Sequence, residues 1–214
     1  MRRALPWVAT AALVFAVLLA GWFAPTRPAA VGTDALGPDN GEVVADYLAR
    51  AADSLTAAGT GTGEHWALVS FTEPVGIDTI VGLSEEVRVG QVLFRVPIDR
   101  VQTPLVPVEV PADAEALRRA PAVAAGRLRL IEQGTERAAR VAATSADRLA
   151  GGCDCVVGAV VRGSADRLRG IADAPAVRAV EALPADAVAG RFSVNPLLPT
   201  HVDTVVPGPD DGEP

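Results

Sequence analysis

The segment "HWALVSFTEPVGIDTIVGLSEEVRVGQVLFRV", residues 65–96, decides the fold. It opens with a short apolar run, 65–73, rich in β-branched and aromatic residues, which is the composition of a strand. Ile77, Ile80, Val81 and Leu83 then recur at helical spacing, and the residues from Val87 to Val96 alternate again as a second strand. The same order returns in "CDCVVGAVVRGSADRLRGIADAPAVRAVEAL", residues 153–183, as a strand, a helix capped by Ser164 with Leu168 and Ile171 inward, and a strand. Both closing strands begin Val-Arg. One β-α-β unit used twice predicts an α+β domain over residues 64–191 with a ferredoxin-like, duplicated split β-α-β topology. In that arrangement four antiparallel strands carry the two repeat helices on one face. The opening strands, 67–72 and 153–161, are the more apolar pair and are expected side by side at the sheet centre, with Val69 and Ala159 inaccessible. The closing strands carry Gln91 with Arg95, and Arg178 with Glu181, the polar load of edges.

Between the repeats, "VQTPLVPVEVP" at 101–111 is extended and Pro-punctuated, an edge strand or a wrapping loop. A helical insertion is expected over 112–150, interrupted at Pro121 and Gly126. Its later portion reads as a single long helix through Leu128, Ile131, Val141 and Leu149. Its alternating Arg and Glu mark a solvated face rather than a coiled-coil seam. Before the repeats, 25–63 reads as a Pro/Gly-rich linker and an amphipathic juxtamembrane helix, with Val44, Tyr47, Leu48, Ala51 and Leu55 on one face and Asp39 or Asn40 as its cap. Such a stripe more often packs on its own domain than on a partner. After the repeats, 192–214 holds too many prolines for a helix and ends in acid, so an extended and partly disordered tail is expected.

The N-terminus is of another kind. Arg2 and Arg3 precede an uncharged apolar stretch, 4–24, closed by Pro25. This is about the ~20 residues a helix needs to cross the hydrocarbon core. Trp7 near one end, and Trp22 with Phe23 near the other, are placed as interfacial anchors. A cleaved signal peptide would have a shorter apolar core, ~7–15 residues, and a small-x-small site that Trp22 and Leu18 spoil here. The expected partner of residues 4–24 is therefore the lipid bilayer. Two arginines before the span against Arg27 after it place the N-terminus in the cytoplasm and the bulk of the chain outside, at the cell membrane.

Charge narrows the function. All 19 basic residues are Arg, and past Arg27 16 arginines face 26 Asp and Glu, a net of −10 on residues 28–214. An acidic body cannot release phosphate counterions, which excludes nucleic acid as partner, and it disfavours an anionic lipid surface. The aromatic content is only 4%, so any core is built from small branched side chains.

Chemistry-bearing motifs are sparse. His65 and His201 are isolated, and His65 beside Trp66 reads as a surface or sheet-edge residue. No P-loop, dinucleotide fingerprint, G-x-S-x-G or HExxH occurs, and "GTGTG" at 59–63 follows a helix where a phosphate cradle would follow a strand. Asp210 and Asp211 sit in the loose tail. No catalytic, cofactor-binding or metal-ligating residues are assigned. Cys153 and Cys155 are the only cysteines; read in a strand they project from one face with Cβ atoms ~6–7 Å apart, too far for the ~3.5–4.5 Å of a disulfide. The favoured reading is two half-buried thiols acting as small apolar residues. A local disulfide made by kinking the chain at Gly151–Gly152 stays open, as do metal binding and intermolecular pairing.

The succession of anchor, linker and helix, then "ALVSF", "VRVGQVLFRVP", "CDCVVGAVVR", "VRAVEALP" and "NPLLP", resembles a group of single-pass membrane proteins of GC-rich Gram-positive bacteria with a ferredoxin-like outer domain. That resemblance implies a topology and no activity. In topology alone the outer domain is similar to the propeptide inhibitors of subtilisin-like proteases, whose extended C-terminal tail enters the protease cleft. The expected function is a non-enzymatic, membrane-anchored extracytoplasmic module that binds an envelope protein. A propeptide-like inhibitor acting through 192–214 is the alternative.

Overall fold

The computed structural model describes residues 34–60, 62–130 and 134–214. The expected span 4–24 and the opening residues of the linker lie outside these residues. Among the described residues no helix is long and apolar enough to cross a membrane.

The elements in chain order are β1 (Ala35–Leu36), α1 (Val44–Ala57), β2 (Glu64–Val75), α2 (Ile77–Leu83), β3 (Arg88–Phe94), β4 (Val106–Glu109), α3 (Ala114–Leu130), α4 (Glu136–Ala150), β5 (Val156–Ser164), α5 (Ala165–Ala172), β6 (Val177–Ala182) and β7 (Ser193–Val194). The protein is thus α+β. Its main sheet has the order β4-β3-β5-β2-β6, with every neighbouring pair antiparallel. The apolar opening strands are central, as expected, and Val69 faces Ala159 in register with no exposed surface on either. Since β2 and β3 both run antiparallel to β5, which lies between them, they are parallel to one another and their unit is split. The second unit, β5 and β6, is split by β2 in the same way.

Side-chain alternation gives the sheet two apolar faces. Ala67, Val69, Phe71, Val92, Phe94, Ala159, Val161 and Val180 share a core with Ile80 of α2, Leu168 and Ile171 of α5, and Leu117, Ala124, Leu128, Ala146 and Leu149 of the helical pair. The helices therefore lie on one face, with small alanines letting α3 and α4 approach it. The opposite face carries Trp66, Leu68, Leu93, Val157 and Val160, and no described helix covers it. Leu36 and Leu183 close it instead, together with Phe192, Val194 and Leu198 from the C-terminal segment. Gly90 makes room for this arrangement, because a Cβ there would stand 2.8 Å from the Trp66 ring.

The tail is extended, as its prolines predict, but not loose. Strand β7 pairs in parallel with β1, Thr204 bridges Val43, and Leu197 and Val205 are buried against Val44, Tyr47, Ala51 and Ala179. The domain boundary expected at residue 191 is corrected accordingly: 192–214 and the residues from 34 onward are structural parts of the same unit. Gly37 marks the crossing. Its φ of +103° and the 1.6 Å that would separate a Cβ from the Asn195 carbonyl oxygen leave glycine as the residue that fits.

Three further expectations change. The strand β3 is not an edge, because β4 pairs with it through Gln91–Phe94, which settles 101–111 as containing the edge strand. The strand β6 is an edge, yet Glu181 on it is only 4% exposed, because α1 packs over that edge. There Glu181 accepts from the Gly37 backbone N–H and from Arg50 of α1. Burial raises its pKa, against those two donors, and burial with the neighbouring Glu181 charge raises that of Tyr47. Finally, the insertion does not break at Pro121, which lies inside α3; two separate helices are formed, and α4 starts at the cap of Thr135, whose hydroxyl accepts from the Ala138 N–H.

Candidate functional site

The strand β5 starts at Val156, so the cysteines precede it. Gly152, at φ +81°, turns the chain out of α4. Beyond it the two Cα atoms stand 5.4 Å apart, and Cys153 and Cys155 are joined as a disulfide. The favoured thiol reading is thus overturned in favour of the local disulfide: the strand geometry that held the sulfurs apart does not apply. A ring closed by so few residues restrains the unfolded chain little, roughly 1.5 kcal/mol on a loop-entropy basis. Cys153→Ala with Cys155→Val is expected to fold and to lose no more than about that amount, read by urea titration. A mass gain of two hydrogens on reduction of the wild type checks the bond itself.

The backbone of the disulfide turn also meets one wall of a cleft. The Cys155 carbonyl accepts from the backbone N–H of Arg95 at 2.8 Å, just past the end of β3. From there the chain makes a tight loop, 95–103, stapled by Thr103 Oγ1 to the Val96 carbonyl (2.6 Å) and by Arg148 of α4 to the Pro97 carbonyl (2.8 Å). The facing wall is the C-terminal segment from Asn195 to Pro209, with Val157 and Pro74 between the two walls. The cleft's volume is about 770 Å³. Its lining is mostly proline, valine, isoleucine and leucine.

Several polar side chains of the lining are already bonded within the chain. Arg100 holds Asp211 through two bonds, 2.8 and 2.6 Å, and Gln102 donates to the Gly208 carbonyl at 2.6 Å. Asn195 donates to the Pro38 carbonyl at 2.6 Å, and His201 accepts the Leu198 N–H at Nδ1 (3.3 Å). Arg95 differs from these. It is half-buried, and burial alone acts on it, lowering its pKa with no opposing carboxylate or hydrogen bond among the described residues. A guanidinium stays charged in a protein, so its desolvation is uncompensated there.

Asp210 and Asp211, read from the sequence as loose, are held. Asp210 accepts from the Gln102 N–H (3.0 Å) and pairs with Arg137 of α4 (3.2 Å). Both carboxyls lie below their ordinary pKa, Asp210 through the Gln102 N–H and Arg137, Asp211 through Arg100. They latch the end of the tail across the cleft's outer rim. His65, read as a surface residue, is buried on β2 with Nδ1 2.8 Å from the Leu183 carbonyl, and takes no part in the cleft. The cleft itself was not foreseen, since Arg95 carried only the signature of an edge-strand cation.

His201 is the cleft's histidine. Burial, then the positive charges of Arg95 and Arg178, lower its pKa, and Arg178 donates to the carbonyls of Leu198 (3.0 Å) and His201 (2.6 Å). A histidine with a lowered folded pKa contributes stability that is present above its unfolded value of about 6.5 and is lost as pH falls through the folded one. Wild type is therefore expected to lose more thermal stability than His201→Gln between about pH 7.5 and pH 5, a window above most carboxylate titration. Parallel Tm curves would refute this.

No group of three or more histidine, cysteine or carboxylate side chains suited to a metal ion occurs among the described residues. No family model, curated protein or solved structure matches the chain.

Proposed function

We propose that the chain is a membrane-anchored, extracytoplasmic binding module of the cell envelope that performs no chemistry of its own. The observation that carries this reading is the cleft between loop 95–103 and residues 195–209. The positive charge it leaves uncommitted among the described residues belongs to a guanidinium, a group that recognises anions but does not exchange protons. Its histidine spends Nδ1 on a backbone N–H, so the neutral ring offers Nε2–H as a donor rather than a lone pair as a base. Apolar walls with a few fixed polar groups are the ordinary build of a binding site.

The location rests on two supports. Residues 4–24 have the length and flanks of an anchor, with the positive-inside bias directing the rest outward. A disulfide between Cys153 and Cys155 fits an oxidising compartment. The strand order β6-β2-β5-β3, with α2 and α5 together on one face, supports the ferredoxin-like reading, elaborated by β4, the α3–α4 pair and the terminal segments. The inhibitor reading needs a tail free to enter a protease, and that tail is the wall of this cleft, so the module reading is preferred. A reporter fused after Pro214 should be active only outside the cytoplasm. Photocrosslinkers placed at Ile98 and Thr200, at the cleft mouth, should capture an envelope component that the same probe at Arg118 on α3 does not. A cytoplasmic reporter would overturn the topology, and equal capture at all three positions would overturn the site.

A further inference from the structure

We infer that the cleft binds a monoanionic carboxylate carried on an apolar body, with the carboxylate seated on Arg95 and the body against the Pro, Val, Ile and Leu walls. The inference rests on the reading of the cleft as a binding site and names its ligand class. Three observations select that class.

The first is charge count. Arg95 and Arg100 line the cleft and Arg178 lies beside it; Arg100 is neutralised by Asp211, while the N–H groups of Arg178 are taken by the Leu198 and His201 carbonyls, which occupies its donors without cancelling its charge. Asp99 also lines the opening. Among the described residues Asp99 has no ion pair and offsets one of the two charges of Arg95 and Arg178, and Arg95 is the lining guanidinium whose N–H groups are free, which suits one negative charge. A phosphate monoester or a polyanion would need more, and would approach a body of net charge −10. The second is geometry. The guanidinium is a planar fork whose N–H groups match the two oxygens of a carboxylate, and the Nε2–H of neutral His201 is a further donor in the same lining. The third is the remainder of the space. A carboxylate fills a small part of about 770 Å³, and Val96, Ile98, Val157, Leu198, Val205 and Pro74 supply apolar wall around the rest. These surfaces gain from contact with hydrocarbon, not with a hydrated ion. The wall that carries Arg95 is also tied down. The Cys155 carbonyl and the Thr103 and Arg148 staples fix the loop that carries Arg95, so little ordering has to accompany binding.

Carboxylates of this kind come from two sources, a free aliphatic acid or the C-terminus of an apolar peptide, and the experiment separates them. The full chain, purified in lipid nanodiscs, is titrated calorimetrically with hexanoate against hexanamide, and with acetyl-Val-Pro-Val bearing a free or an amidated C-terminus. In at least one pair the acid should bind roughly 10- to 100-fold more tightly than its amide, the usual reach of a charge-assisted hydrogen-bonded pair. Arg95→Ala should erase that preference and Arg95→Lys should restore part of it. The pair that discriminates identifies the source. Because the Arg95 side chain makes no bond to a described residue, Arg95→Ala should keep the wild-type Tm; if it does not, Arg95→Gln serves in its place. Equal binding of acid and amide would overturn the carboxylate and leave the cleft standing as a binding site. An acid preference that survives in a folded Arg95 variant would overturn the role of Arg95. Absence of binding by all four probes at millimolar concentration would overturn the inference and remove the cleft from the functional reading as well.

Discussion

Ending the chain at Arg191 is expected to abolish folding of the domain rather than trim it. The helices shield one face of the sheet, but the other face, Trp66, Leu68, Leu93, Val157 and Val160, is shielded by Leu36, Leu183 and, from the removed segment, Phe192, Val194 and Leu198. Each large apolar side chain returned to water costs about 1.5–3 kcal/mol. Partial exposure of five of them, added to the loss of the tail's own buried side chains, is comparable to the ~5–15 kcal/mol that holds a domain together. The same truncation removes Leu197 and Val205 from beneath α1, the partner strand of β1, and both carbonyls bonded by Arg178. Circular dichroism and a urea titration of the truncated chain should show loss of the cooperative transition. A truncated protein with a wild-type melting curve would mean that the tail is an appendage after all, and would return the inhibitor reading to first place. Substituting Asp210 and Asp211 together by Asn separates the latch from the cover. It loosens exposed pairs worth little each, and should leave the Tm nearly unchanged.

What the sequence disclosed, and what it hid, follows one physical division. Where an element is specified by its own periodicity, the residues announce it. The change from period two to period 3.6 and back in 65–96, repeated in 153–183, disclosed both β-α-β units, and the apolar excess in β2 and β5 placed them at the sheet centre. Ser164 was legible as a cap because its hydroxyl accepts a local N–H, that of Arg167. Where an element is specified by distant partners, the residues were silent. Ser193–Val194 is too short and too polar to read as a strand, and exists because Ala35–Leu36 lies beside it. Glu181 looked like an edge residue because nothing local says that Arg50, over a hundred residues earlier, covers it. The cysteines were misread through one turn: Gly152 at positive φ ends the helix and delays the strand to Val156, which changes the sulfurs' relation from same-face neighbours to bonded partners. The cleft belongs to the same class. It is assembled from a loop after β3 and from the chain's last residues, and Arg95 acquires meaning only when the tail folds back to half-bury it.

The β2–β5 ladder sets the second large effect. Val69 and Ala159 face each other at the centre of the sheet, and Val92 of β3 lies on the other side of Ala159. Each is fully buried under α2, α5 and the helical pair. Asn at position 69 removes two methyl groups from that core and leaves an amide with no free partner, since the neighbouring backbone groups are spent on the ladder. An unsatisfied buried polar group costs roughly 1–3 kcal/mol, and the lost transfer energy of the valine adds to it. Asn at position 159 costs as much for its amide and overpacks an alanine-sized space, for about 1–3 kcal/mol more. Both variants should therefore lose on the order of 3–5 kcal/mol, summing these contributions. Gln91→Ala, at a half-buried position on β3 whose side chain makes no bond to a described residue, should lose less than about 1 kcal/mol, as substitutions away from the core usually do. Arg178→Ala belongs with neither group. Its two bonds to the tail make it costlier than its edge position suggests, and it should fall between the two in urea midpoints. The ranking, with positions 69 and 159 worst, Arg178 next and Gln91 last, follows from this topology alone; equal tolerance at positions 69 and 91 would require a different strand order.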